Sequence, residues 1–107
     1  MQNDAFFVNL EEQLERLADT KSLHGEEGLK LIEDYRSALV EMLFEMNEQP
    51  VSDSVEHLTY KPLNMAERLE FISANNFHFM RYQQMKTLRE EIKKLAAVKK
   101  IRDSRKK

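Results

Sequence analysis

Three arginines stand where apolar residues belong. On a helical wheel at ~100° per residue, Arg68 falls between Phe71 and Ile72, inside the arc that also holds Met65 and Leu69. Arg36 lies between Leu29 and Leu43, and Arg81 lies among Phe77, Met85 and Leu88. A planar guanidinium fork suits a carboxylate or a phosphate, so Arg36, Arg68 and Arg81 are a candidate anion or ion-pair site. An unpaired buried charge is too costly to persist. Either these groups converge on an anion, or each reaches water past its own stem or pairs with an acid or a helix-end carbonyl. Arg36 has Glu33 three residues before it, with Asp34 close by. Arg68 has no acid at i±3 or i±4, so a pair within its own helix is closed to it.

The remaining chemistry-bearing residues are sparse. His24, His57 and His78 show no H-x-x-x-H, E-x-x-H or H-E-x-x-H spacing, which removes the helix-borne metal motifs. The chain has no cysteine, hence no disulfide and no thiolate nucleophile or ligand. Its two glycines cannot build a phosphate loop, and G-x-S-x-G is absent. The expectation is a protein with no catalytic residue, no metal and no cofactor, and therefore not an enzyme. Met42, Met46, Met80 and Met85 suit either an adaptable groove or core filling, and core filling is the ordinary use.

Charge is unevenly spread. Residues 1–57 carry 14 acids against 4 Lys/Arg, and residues 93–107 carry 1 acid against 8 Lys/Arg. Lys99, Lys100, Arg102, Arg105, Lys106 and Lys107 form a basic end that fits an anionic partner. The competing explanations are neutralisation of the acidic half, within one molecule or across a dimer, and the preference for cations at a helix C-terminus. No aromatic residue stands among those cations to stack on a base.

The elements that must position these groups are helical. Hydrophobic residues make up 41% and charged residues 34%, and only two prolines and two glycines punctuate 107 residues, too few for the turns of a sheet. Phe7, Leu10, Leu14 and Leu17 recur at helical spacing from about Asp4, with Asn3 or Asp4 as cap, to Asp19. Gly25 marks a loop. A second helix, Glu26 to Asn47, is apolar over more than half its circumference and is expected to be the hub of the core. Pro50 ends that region, and Ser52 or Asp53 opens a short helical turn through His57. In "YKPLNMAERLEFI", Lys61 is held extended before Pro62, Asn64 is an N-cap and Glu67 its capping-box partner. A short third helix follows, Met65 to Ala74. Asn75 and Asn76 interrupt it, and a fourth runs from Phe77 to about Ile101 on a stripe of Phe77, Met85, Leu88, Ile92 and Leu95.

The expected fold is all-α: a small irregular bundle of about four helices, the third short. A single domain covers residues 1–100, and residues 101–107 are expected to be a basic, frayed tail. The longest uncharged apolar run falls far short of the ~18 residues of a membrane span, and the N-terminus lacks the basic start and apolar stretch of a signal peptide. A cytoplasmic location is expected.

The stretch "LTYKPLNMAERLEFI", followed by "FHFMRYQQMKTLREEIKKL", resembles the YpoC-like proteins of Bacillota. The shared pattern is K-P-x-N-x-x-E-R-L-x-F-I, then a histidine and a Q-x-x-x-L helix. It falls on Lys61, Pro62, Asn64, Glu67, Arg68, Leu69, Phe71, Ile72, His78 and Gln84, within residues 25–97. This chain departs from it in being polar and basic after the histidine. The resemblance implies a small, all-helical cytoplasmic protein and adds no catalytic residue. The functional expectation is a non-enzymatic module that binds a protein partner or associates with itself. The alternative is an accessory protein that binds nucleic acid or an anionic surface through the basic end.

Overall fold

The computed structural model describes residues 4–52, 54–74 and 76–105. They form four helices, α1 (Asp4–Asp19), α2 (Glu26–Met46), α3 (Met65–Ser73) and α4 (His78–Arg105), with no strand among the described residues. Each helix buries the face its apolar spacing defines. α1 buries Phe7, Leu10 and Leu14. α2 buries Leu31, Ile32, Tyr35, Ala38, Leu39, Leu43 and Phe44, a wide arc that makes it the hub. α4 buries Tyr82, Met85, Leu88 and Ile92.

Side-chain pairings give the direction of each helix. Glu48, just past α2, meets Lys99 near the end of α4, while His24, just before α2, shares a cavity with His78 at the start of α4. α2 and α4 therefore run side by side and parallel. α1 runs against both, since Asp4 meets Arg89 and Glu15 meets Tyr82 and Lys86. α3 also runs against α4, because Arg68 reaches Glu91 while Ile72 lies at Arg81. On the α4 wheel the α1 contacts and the α3 contacts lie on opposite flanks of the α2 contact. The result is a central α2–α4 pair with α1 on one side and α3 on the other. Tyr35 joins three of the helices: its ring stands edge-on to Phe7 at 5.2 Å and to Tyr82 at 6.3 Å. Such aromatic pairs stabilise by about 0.5–1.5 kcal/mol beyond their buried area.

The joints differ from expectation in instructive ways. The α1–α2 turn depends on Gly28, not only on Gly25. A Cβ on Gly28 would stand 2.3 Å from the carbonyl oxygen of Leu23, so only glycine lets the turn fold back onto α2. The long loop after α2 is pinned by Asn47. Its Nδ2 donates to the carbonyls of Leu43 and Tyr60, both at 2.8 Å, and its Oδ1 accepts the Tyr60 N–H at 2.9 Å. Val55, Leu58 and Pro62 are buried beneath this loop. Among the described residues of the stretch 52–57, Ser52 and 54–57, none is helical. Ser52 and Ser54 instead bond one another locally, and a tight turn joins Val55 to Leu58. Asn64 does stand at the N-cap of α3, but as a left-handed residue (φ 58°, ψ 34°) whose side chain caps nothing. Asparagine is among the few side chains that tolerate that region. The capping box with Glu67 therefore does not form. α4 begins one residue later than expected. Phe77 is 63% exposed at φ 52° and belongs to the joint, not to the buried stripe. At the other end α4 stays helical through Arg105, past the Ile101 where fraying was expected. Asn3, Asp53, Asn75, Lys106 and Lys107 lie outside the described residues.

Candidate functional site

The arginines resolve first. Arg68 does not meet Arg36 or Arg81. From α3 it reaches across to α4, where Nη2 and Nη1 bond both carboxylate oxygens of Glu91. Its Nε and Nη2 also donate to Gln84 Oε1 at 3.0 and 2.9 Å, and Nη1 donates to the Leu63 carbonyl at 3.2 Å. The guanidinium is fully engaged, so it clamps α3 to α4 and leaves no fork for an added anion. It holds the Glu91 carboxyl below the ordinary carboxylate range. Arg36 pairs with Glu33 through Nε and Nη2, as the i−3 spacing suggested.

Arg81 is the most deeply buried of the three, at 4% exposure. Its Nε donates to the Ile72 carbonyl at 2.9 Å, an acceptor left open by the last turn of α3. Its Nη1 stands 3.0 Å from Nδ1 of His78, which accepts the bond when the proton is on the other ring nitrogen. Arg81 and Arg36 lie near enough to Glu33 for its charge to act on both. The three arginines thus do not converge on one anion site. A fourth arginine, Arg89, behaves as Arg68 does, pairing with acids of another helix. It is buried, donates to Glu11 at 3.1 Å and to Asp4 at 2.9 Å, and lies over the Phe7 ring at 4.8 Å. The same wheel test finds it: Arg89 stands four residues after Met85 and three before Ile92.

The other motif residues lie in and around the loop that leads into α3. Lys61 turns back to donate to the carbonyls of Leu58 and Glu56, at 2.9 and 3.2 Å. Pro62 is buried, and Glu67 is exposed beside the Arg68 clamp. Of the residues that carry the family pattern, Arg68 and Gln84 are bonded directly across the α3–α4 contact. A model of the YpoC-like protein family matches residues 4–104. The chain belongs to the YpoC-like family. The match takes in α1, which lies outside the motif, and extends along α4 well past Gln84. No curated protein and no solved structure matches this YpoC-like chain.

What the locks leave open is a groove. Because α3 is held by its α4 side, it stands off α2, and the loop at residues 51–56 closes one end. The space between is about 540 Å³. Its floor is apolar, from Val40 and Phe44 on α2, Ala66 and Leu69 on α3, and Val51 and Val55 of the loop. Glu56 and Glu70 stand on its rim, while Arg36 faces it already neutralised by Glu33. The lining as a whole is half apolar and half polar, since Ser52, Ser54 and Ser73 join Arg36, Glu56 and Glu70. An apolar floor with placed polar groups is a common form of binding site, and among the described residues no histidine or cysteine lines it.

Two further surfaces complete the survey. Beside the start of α4, a cavity of about 390 Å³ is lined by Ala18, Leu23, His24, His78 and Phe79. Its two imidazoles have no third metal-binding side chain among the described residues. The four methionines do not form one groove: Met85 is core, Met80 is exposed on α4, and Met42 and Met46 are half-buried on α2. At the opposite pole lies the basic end of α4. Lys99 is tied to Glu48 at 3.2 Å and Asp103 at 2.9 Å, whereas Lys100, Arg102 and Arg105 have no ion pair among the described residues. No helix is long and apolar enough to cross a membrane.

Proposed function

We propose that this protein is a non-enzymatic binding module whose α2–α3 groove receives an apolar-edged helix of a protein partner. The groove itself is the observation that carries the reading. An amphipathic helix laid into an apolar cleft is read through anchors at i, i+4 and i+7, and a cleft between two helices offers a matching row of side chains. The reading also accounts for the arginine clamps, which spend charged groups on holding α3 in place and not on chemistry. A cytoplasmic setting belongs to the same proposal, supported by a chain without cysteine.

A displayed library of helical peptides, selected against the full chain, tests it. Enrichment of sequences with apolar anchors at helical spacing is expected, with loss of binding in Ala66→Trp. Ala66 is exposed on the groove wall, so its replacement fills the cleft without entering the core. Selection that enriches nothing above background, or binding untouched by Ala66→Trp, would overturn the proposal.

The second reading, an accessory protein for nucleic acid or an anionic surface, is favoured by the unpaired Lys100, Arg102 and Arg105. It predicts binding that weakens steeply with salt.

A further inference from the structure

One end of the groove lies at the pole that carries the basic end of α4. The groove is closed there by Val51 and Val55, close after Glu48, and Glu48 is the residue that holds Lys99 of α4. From Lys99 the helix continues to Arg105 with every residue from Lys100 onward exposed. At ~1.5 Å per residue that overhang is about 9 Å. The molecule is drawn out accordingly, with extents of 51 × 26 × 20 Å.

The outward face of this segment is amphipathic. Lys94, Val98, Ile101 and Arg105 fall within ~60° of one another, on the side of α4 away from α2. Val98 is 44% exposed and Ile101 55%, two branched apolar side chains with no cover. Cations flank them at both ends of the row. Their spacing of i, i+4, i+7 and i+11 is the anchor pattern that a helix presents to a groove. The groove's apolar floor and its Glu56 and Glu70 rim are complementary to this face in both character and sign.

We infer that the occupant of the groove is the end of α4, residues 94–105, of a second copy of this chain. The inference rests on the groove being a binding site and names what fills it. The donor surface lies at the pole where one end of the acceptor groove lies. Two copies meeting there about a two-fold axis can each give its helix end to the other, so the contact closes as a dimer and does not propagate. Charge attraction also draws the basic ends toward the Glu56 and Glu70 rim before the apolar side chains seat. The apolar pair sets this reading apart from nucleic-acid binding, since Val98 and Ile101 would interrupt a phosphate-binding stripe.

Sedimentation of the full chain over a range of concentrations tests the inference. A concentration-dependent monomer–dimer equilibrium is expected, weaker at high salt. Val98→Asp/Ile101→Asp removes the donor face and Ala66→Trp blocks the acceptor. Each should weaken the dimer by more than about tenfold, with helical circular dichroism unchanged because all three positions are exposed. The decisive arm mixes the two variants. The intact tail of one fits the intact groove of the other, so the mixture should recover a dimer held by one of the two contacts, weaker than wild type but stronger than either variant alone. Arg102→Glu/Arg105→Glu should lose the salt dependence. A wild-type chain that stays monomeric throughout overturns the inference while leaving peptide selection by the groove intact. So does a tail variant that dimerises normally, or a mixture that recovers nothing. Salt-sensitive binding to DNA or anionic vesicles without self-association would assign the tail to the other class of partner.

Discussion

A guanidinium held among apolar side chains must be satisfied in place, and the four arginines of this core differ in what satisfies them. Arg36 uses a neighbour on its own helix. Arg68 uses a carboxylate and an amide on another helix. Arg81 uses a helix-end carbonyl and an imidazole, with Glu33 acting at longer range. Arg89 uses two carboxylates on α1, one of which, Glu11, also accepts the Tyr35 hydroxyl at 2.6 Å. Its Nε is buried and has no hydrogen-bond partner among the described residues, which subtracts from what the pair contributes. Removing one member of a buried ion pair costs about 3–5 kcal/mol because the other is left uncompensated. Arg89→Met is therefore expected to cost about 3 kcal/mol, at the low end because Glu11 keeps Tyr35. Arg36→Met, in a partly exposed i, i+3 pair, should cost less than about 1 kcal/mol. Urea denaturation of both variants checks the order, and equal losses would mean that Arg89 is not the principal tie between α1 and α4.

At the scale of elements, much was legible and the reasons are particular. α1 was readable residue by residue, because Phe7, Leu10 and Leu14 repeat at helical spacing and nothing competes with them. The short α3 was readable because Pro62 and Asn64 punctuate its start, yet its cap chemistry was not. The backbone entered α3 through a left-handed Asn64, and that choice depends on where Pro62 is buried, which no local pattern encodes. The groove was foreshadowed by the breadth of the α2 apolar arc but could not be located, since it depends on which flank of α3 the Arg68 clamp grips. Phe77 was misread for a related reason: its apolar side chain suggested the stripe, whereas the reversal from α3 into α4 demanded a left-handed residue there. A bulky side chain with φ of 52° is strained, by roughly 1–2 kcal/mol. Since the ring is mostly exposed, little burial offsets this. Phe77→Asn should stabilise the fold by about 1 kcal/mol, raising the melting temperature by roughly 4–8 °C for a domain near 100 residues. A fall in melting temperature would show that the ring contributes packing at this joint.

At the scale of the whole molecule, the ionisable groups set a stability profile with pH. His78 is held below its ordinary value of 6.5 by burial first, then by the Arg81 charge and that of His24. The folded chain thus keeps His78 neutral, as the hydrogen bond from Arg81 requires, while the unfolded chain takes up a proton once the pH drops below 6.5. Stability from this site is complete above 6.5 and is lost as the pH falls through the folded value. Glu15, Glu33 and Glu91 behave similarly further down. Hydrogen bonds from Tyr82 and Lys86, from Arg36 and from Arg68 hold them below 4.5, so their contribution is present above 4.5 and lost below it. On the alkaline side, burial and the bonds to Glu11 and Glu15 push Tyr35 and Tyr82 well above their ordinary 10.0, so the folded chain keeps protons that the unfolded chain releases. Stability should fall there above pH 10.0. A plateau between pH 6.5 and 10.0 follows, with two separate declines on the acid side. Urea midpoints measured across this range should show the first acid decline in the wild type and its absence in His78→Gln, which keeps a side-chain acceptor for Arg81 but cannot titrate. If His78→Gln declines over the same interval as the wild type, the first step belongs to another group and the Arg81–His78 bond is not what makes this joint sensitive to acid.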